Sequence, residues 1–317
     1  MKIYKDIKDF KGVKNPIVTS GTFDGVHTGH RKIISRLNYL AKKYSGETVL
    51  LTFSPHPRSV LFPDDNNLKL INTLDEKKIL LEKSGIQHLI IQKFTRSFSR
   101  IPSINFVRDI LINQINTFKL VIGYNHQFGR NREGSFSSLK ELAPVYGFEV
   151  EEISAELIND VSISSTKIRN AILEGNIKIA NNYLGYNYSI SGVVVKGREF
   201  GRKIGYPTAN IKIINQNKII PKDGVYAVSV NIEGEFYSGM VNIGYNPTIG
   251  LAKRTIEVNI FNFQKDIYGG NISLIFFERL RDEIKFSDIE SLKAQLMIDK
   301  NKSIQILRDE QKIDWYY

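Results

Sequence analysis

Two histidines stand in the loop Ser20-Gly21-Thr22-Phe23-Asp24-Gly25-Val26-His27-Thr28-Gly29-His30, between an apolar run and a helical pattern. Glycines let a backbone approach an anion closely, and a helix amino terminus offers unpaired N–H groups at the positive end of its dipole. His27 and His30, with Gly29 between them, can donate to phosphate oxygens as charge moves from an α-phosphorus to a leaving pyrophosphate. The loop holds no nucleophile, so its chemistry should be direct displacement with electrostatic stabilisation. Taken alone, the pair also fits two surface histidines at a helix start, or two ligands of a shared zinc. The strand, glycine loop, HxGH and helix context favours the phosphate reading, and no cysteine or nearby carboxylate pair supports a metal.

A second segment points the same way. Val161-Ser162-Ile163-Ser164-Ser165-Thr166-Lys167-Ile168-Arg169 places hydroxyls just before a predicted helix, with Lys167 and Arg169 expected in its first turn. Cations are disfavoured there by the helix dipole unless an anion is bound.

The second half uses other chemistry. Lys196 to Lys203 form a basic, glycine-rich stretch, and Gly205-Tyr206-Pro207-Thr208-Ala209-Asn210 follows. Such a loop, with Gly197, Gly201 and Gly205, can wrap a polyphosphate through backbone N–H groups and charge. Thr208 and Asn210 share one face in extended chain. A hydroxyl and an amide oxygen suit Mg²⁺, which takes few protein ligands and leaves the rest to phosphates and water. Glu257 lies mid-strand in Arg254-Thr255-Ile256-Glu257-Val258-Asn259-Ile260-Phe261, opposite an aliphatic face. All five histidines lie in the first 126 residues. An alcohol activated in the second half therefore needs another base, and a carboxylate is the natural substitute.

The elements that must position these residues divide into two patterns. Strands are predicted at 17–19, 48–53, 88–92, 119–123 and 148–153, alternating with helices at 30–44, from Thr73 to Gly85, and at 138–146. This alternation predicts a Rossmann-like parallel sheet covered by helices, with ligands at the carboxyl ends of the strands. A helical stretch at 177–184 follows. Beyond it, strands at 188–195, 225–232, 236–243, 255–263 and 272–277 are separated by turn chemistry, with one helix from 287 to 299. That predicts an antiparallel barrel or sandwich closed by a C-terminal helix, a Greek-key barrel being the form expected. The boundary is placed near 185–187, giving domains 1–185 and 186–317.

Composition bounds the function. The 317 residues carry a net charge of +11, with 26 Lys+Arg against 18 Asp+Glu in residues 1–185 and 18 against 15 in the remainder. Excess positive charge suits an anionic partner, either nucleic acid or a phosphorylated small molecule. Cysteine is absent, which excludes a disulfide scaffold and a thiolate zinc site. No run approaches the ~18 apolar residues of a membrane span, and no signal peptide follows the lysine-rich start. A cytoplasmic location is expected.

Read in order, GTFDGVHTGH, TFSPHPRSVL, GYNHQFGRNREGS and SISSTKIR resemble the adenylyltransferase half of the prokaryotic bifunctional riboflavin kinase/FMN adenylyltransferase family, the FAD synthetases. GRKIGYPTAN, PKDGVYAV, TIEVNIFNF and DIYGGNISLIFFERLRDEIKF resemble its riboflavin kinase module, so the likeness spans nearly the whole chain. It implies two consecutive reactions using ATP and Mg²⁺, riboflavin to FMN and then FMN to FAD. It implies that Gly21, Phe23, His27, Gly29, His30, Ser164, Ser165, Thr166 and Arg169 hold ATP in the adenylyltransferase, with flavin contacts from Arg58 and Asn125. In the kinase it implies ATP contacts from Gly197, Gly201, Gly205, Thr208 and Asn210, and Mg²⁺ on Thr208 and Asn210. Glu257 is then the base and Arg281 a flavin-side residue. Many members have His where this chain has Asn259, which receives no role. The alternatives are an RNA- or tRNA-binding HxGH protein and a one-activity relative. The first lacks interleaved basic-aromatic motifs, so small-molecule partners and no nucleic acid are expected.

Overall fold

The fold is that of a computed structural model, describing residues 1–64, 68–124, 126–154, 163–197, 200–245 and 254–310. Asn125 lies outside the described residues. Contacts group the chain into two units, Met1–Leu68 with Asn72–Ser164, and Lys69–Ile71 with Ser165–Tyr317.

The first unit holds β1 (Lys2–Tyr4), β2 (Pro16–Ser20), α1 (Thr28–Lys43), β3 (Glu47–Ser54), α2 (Pro57–Leu61), α3 (Leu74–Lys83), β4 (His88–Lys93), α4 (Ser103–Asn105, continued by π-helical turns Phe106–Ile112), β5 (Lys119–Gly123), α5 (Phe136–Tyr146) and β6 (Glu149–Ile153). The strands form one parallel sheet in the order β1-β4-β3-β2-β5-β6. Every residue of β2 is buried, as expected of a parallel strand covered on both faces. The chain runs outward from β2 to β3 and β4, then crosses back to β5 and β6. The order therefore reverses between β2 and β5, the position where open α/β sheets bind ligands.

Local chemistry sets the helix boundaries. Thr73 and Glu76 form the expected capping box at α3, Glu76 N–H donating to Thr73 Oγ1 at 3.2 Å and Thr73 N–H to Glu76 Oε2 at 2.9 Å. α1 starts two residues before the expected position because His27 caps it, its Nδ1 accepting from His30 N–H at 3.4 Å. α5 likewise starts at Phe136, capped by Ser135.

The second unit holds α6 (Ser165–Glu174), α7 (Ile177–Leu184), β7 (Ser189–Val195), α8 (Phe200–Lys203), β8 (Ala209–Ile213), β9 (Gly224–Ile232), β10 (Glu235–Tyr245), β11 (Arg254–Ile260), β12 (Asn271–Arg281) and α9 (Ile289–Glu310). The strands close into an antiparallel barrel, β10-β11-β8-β7-β12-β9. β9, β10 and β11 follow one another and β12 returns beside β9, which is a Greek key. β11 stops at Ile260, short of the expected 263, and Asn262 beyond it turns left-handed at φ 55°. The core centres on the fully buried Tyr188, Tyr226 and Phe276, with ring centroids 5.4 Å (Tyr226–Phe276) and 6.1 Å (Tyr188–Phe276) apart.

α6 and α7 belong with the barrel rather than the sheet. Asn181 of α7 donates to Phe276 C=O at 2.9 Å and accepts from Tyr188 N–H at 2.8 Å. Lys222 N–H donates to Ile172 C=O of α6 at 3.2 Å.

Candidate active sites

In a parallel sheet all loops that follow strands emerge at one edge. The HxGH loop follows β2, the Pro57–Leu61 helix follows β3, and the Tyr124–Gly129 stretch follows β5. At the point where strand order reverses, Ser20 Oγ at the end of β2 meets His126 Nε2 beyond β5 at 3.4 Å. The sequence reading gave His126 no role of its own. Burial lowers its pKa to about 4, so it stands neutral at this edge.

The HxGH loop is a tight, strained turn. Phe23 (φ 46°) and Val26 (φ 36°) both adopt left-handed backbone, which side chains with a Cβ disfavour. Such strain persists only where surroundings over-determine it. Here Thr22 C=O accepts from Lys77 Nζ at 2.7 Å and from Thr52 Oγ1 at 3.3 Å. Buried Asp24 accepts from Asn72 N–H at 3.3 Å. The turn stacks three rings in series, Phe23 on His30 at 4.7 Å and His30 on His27 at 3.7 Å, the imidazoles 19° from parallel.

Both imidazoles are held neutral. Burial lowers His27 to about 4, partly opposed by Asp24. Burial also pushes His30 well below its ordinary value, aided by His27 and Lys77. His30 Nδ1 is sealed from solvent and makes no hydrogen bond, an orphaned polar atom of the kind that awaits a ligand. No group of three or more His, Cys, Asp or Glu residues capable of holding a metal occurs among the described residues, so the shared-zinc reading of His27 and His30 finds no further ligand there.

The remaining first-unit candidates fall as follows. Gly21 lies against Phe23, where an added Cβ would sit 3.2 Å from the ring, and Gly29 is buried in the first turn of α1. Arg58 is exposed on α2, its N–H donating to His56 Nδ1 at 3.2 Å.

Residues Ser165 to Arg169 of the SISSTKIR segment open α6 in the second unit. Ser165, Thr166, Lys167 and Ile168 fill the first turn, with Ser164 just ahead. Arg169 falls one residue beyond that turn, a correction to its expected place. Its Nε donates to Lys69 C=O at 2.8 Å.

In the second unit, a cavity of about 680 Å³ lined by barrel strands and α9 collects the second constellation. Gly201, Thr208, Asn210, Glu257 and Arg281 all line it, with Ile204, Met240, Leu292 and Leu296 as apolar walls. Register explains the grouping. Glu257 on β11 stands opposite Asn210 on β8 and opposite Asn242 on β10. Ile256 and Val258 turn to the buried side, as the alternation predicts. Gly197 lies outside the cavity lining, but a Cβ there would come within 2.0 Å of the Asn210 amide nitrogen. A larger residue at 197 would displace the Asn210 amide, so glycine leaves that side chain its place. Gly205 adopts φ +86° in the turn before Tyr206.

Two cavity residues were not legible as functional. Asn259, assigned no role, is buried and donates from Nδ2 to Pro207 C=O at 2.7 Å, fixing the backbone just ahead of Thr208. Asn242 donates to Glu283 Oε1 at 3.3 Å. Arg281 reaches the cavity wall, but its guanidinium is engaged by Asp299 of α9, Nε to Oδ2 at 2.9 Å and NH2 to Oδ2 at 2.8 Å. Asp299 is almost wholly buried, so this ion pair ties β12 to α9.

The described residues contain no helix long and apolar enough to cross a membrane. Family models described as FAD synthetase and riboflavin kinase match residues 10–167 and 184–307. The bifunctional riboflavin kinase/FMN adenylyltransferase of Buchnera aphidicola is 38% identical, over 97% of this chain and 98% of that protein. The proteins of the same description from Bacillus subtilis and Escherichia coli K12 are 35% identical (93% and 94% covered) and 34% identical (90% of each). A solved structure described as a macrolide-efflux protein from Streptococcus pneumoniae superposes with TM-score 0.86 at 32% identity, covering 95% of this chain and 98% of that one.

Proposed function

Because the chain belongs to the bifunctional riboflavin kinase/FMN adenylyltransferase family, we propose that its two reactions are divided between the HxGH loop and the barrel cavity, with the residue roles given below. The enzyme phosphorylates riboflavin with ATP to give FMN, and transfers AMP from ATP to FMN to give FAD and pyrophosphate.

In adenylyl transfer, His27 and His30 donate N–H groups to the ATP phosphates and stabilise the charge that builds on the leaving pyrophosphate. Their neutrality supports this role. A bound polyanion favours protonation of a nearby imidazole, so positive charge is recruited when the substrate arrives. Gly21, Phe23 and Gly29 shape the cradle. Ser164, Ser165, Thr166 and Arg169 keep the phosphate contacts that the family resemblance assigns them, and Arg58 and Asn125 the flavin contacts.

In phosphoryl transfer, Glu257 takes the proton from the ribityl hydroxyl as it attacks the γ-phosphorus. Gly197, Gly201 and Gly205 form the phosphate loop. Thr208 hydroxyl and Asn210 amide oxygen fit Mg²⁺, a hard cation satisfied by neutral oxygen ligands when phosphates complete its shell. When bound, Mg²⁺ supplies charge neutralisation on the phosphates. Arg281 faces the flavin side of the cavity. The kinase activity is assigned to residues 186–317 and the adenylyltransferase activity to 1–185, a division of activity that does not follow the packing of α6 and α7 on the barrel. The enzyme works in the cytoplasm on small molecules and not on nucleic acid.

The observation that carries the assignment is the register that brings Glu257, Asn210 and Asn242 side by side in a cavity also lined by Thr208. Incubating the protein with riboflavin, ATP and MgCl₂ and separating the products tests it. FMN then FAD are expected in sequence, and omission of MgCl₂ should stop the first step. Product formation unaffected by chelation would remove Thr208 and Asn210 from the metal role.

A further inference from the structure

Lys77 lies in no motif of either constellation, yet it is one of the few buried lysines among the described residues, 7% exposed on the first turn of α3. A buried ammonium is costly unless paired. Its Nζ donates to Thr22 C=O at 2.7 Å, at the point where the phosphate loop leaves the sheet. The next residue is Phe23, in left-handed backbone, whose ring bears on His30. Burial lowers the Lys77 pKa and buried Asp24, two residues along the same loop, offsets that effect. The ammonium is thus compensated by the loop it holds.

We infer that Lys77 is a positioning residue for adenylyl transfer, pinning Thr22 so that Phe23 and His30 hold the ring geometry that meets the ATP phosphates. This rests on the phosphate-loop reading of His27 and His30. Lys77 does not reach the substrate itself; it acts through the Thr22–Phe23 backbone. α3 is in turn fixed by the Thr73–Glu76 capping box, so the anchor sits on a rigid helix start rather than a loop. Thr52 Oγ1 on the same carbonyl is the weaker brace at 3.3 Å.

The test compares Lys77→Met, Lys77→Arg and His30→Ala in the full chain, assaying FMN to FAD and riboflavin to FMN separately. Displacing a catalytic group by about 1 Å costs on the order of 10²-fold. Lys77→Met should therefore lower kcat for FAD formation by about 10- to 100-fold and raise KM for ATP. KM for FMN and the kinase rate should stay within about twofold, and the melting temperature of the sheet unit serves as the folding control. Lys77→Arg, which keeps a cationic donor, should recover most of the loss. Lys77→Met with near wild-type FAD synthesis would overturn the inference while leaving the loop reading intact, provided His30→Ala is inactive. A fall in kcat with both KM values unchanged, not rescued by Arg and matched by a lower melting temperature, would also overturn it, since it would mark lost fold alone. Near wild-type activity in His30→Ala would instead overturn the loop reading on which the inference rests.

Discussion

The HxGH loop and the barrel cavity handle the same triphosphate with different side chains. The loop offers imidazoles held neutral by burial and a buried lysine behind them. The cavity offers two carboxylates, Glu257 and Glu283, among amides and a hydroxyl. The difference follows from the nucleophile. FMN attacks through a phosphate already ionised at neutral pH, so the loop needs donors for a leaving group and no base. Riboflavin attacks through an alcohol, so the cavity needs a proton acceptor. The histidine distribution is the sequence trace of this division, since all five lie in the first unit.

The largest expected effect is at Glu257. Glu257→Gln keeps the shape and removes the basicity, and a positioned base contributes about 10²–10⁴-fold. FMN formation should fall by that factor, measured as initial rate from riboflavin. Next is His30→Ala, which removes a donor to developing phosphate charge and should lower FAD formation from FMN by about 10²–10³-fold. If the two losses fell on the same reaction, the contrast between the sites would be void.

A smaller effect sharpens the cavity side. Asn259→Ala leaves Pro207 C=O without its donor, a loss of about 1 kcal/mol or roughly fivefold. It should appear in KM for MgATP, because Pro207 precedes Thr208, and FAD formation from supplied FMN should be unchanged. An effect on KM for riboflavin alone would detach Asn259 from the nucleotide side.

The last expectation concerns stability. His27 and His126 are each lowered to about 4 from an ordinary value near 6.5. Between those values the unfolded chain binds more protons than the folded one, so stability is fully present above pH 6.5 and declines as pH falls towards 4. The sheet unit should lose on the order of 5 °C in melting temperature between pH 7 and 5.5. The barrel unit, with no histidine, should melt nearly independently of pH over this interval. Parallel shifts in both transitions would contradict the assignment.

How much of this was legible in the sequence depends on the range of the interaction. Period-two and period-3.6 patterns are local, so β3, β4, β5 and α3 lie within about two residues of expectation. The exposed three-residue β1 and the π-helical turns of Phe106–Ile112 carry too little periodicity to read. Strand register made the grouping of Glu257 with Asn210 physical, but only their residue types were visible beforehand. Asn259 and Lys77 act through hydrogen bonds to carbonyls 52 and 55 residues away, and no local pattern encodes such a contact. The packing of α6 and α7 on the barrel was hidden for the same reason. A fragment starting at residue 165 should accordingly melt higher than one starting at 187, which loses the Asn181 bonds to Phe276 and Tyr188; equal melting temperatures would make those helices dispensable to the barrel.

The most direct measurement of the central division is a crossed assay, with Glu257→Gln and His30→Ala each given riboflavin and, separately, FMN, with ATP and Mg²⁺. The account predicts that Glu257→Gln makes little FMN from riboflavin but converts supplied FMN to FAD at the wild-type rate. It predicts that His30→Ala converts riboflavin to FMN, which then accumulates without becoming FAD. Loss of both reactions in either variant, or of neither in both, would contradict it.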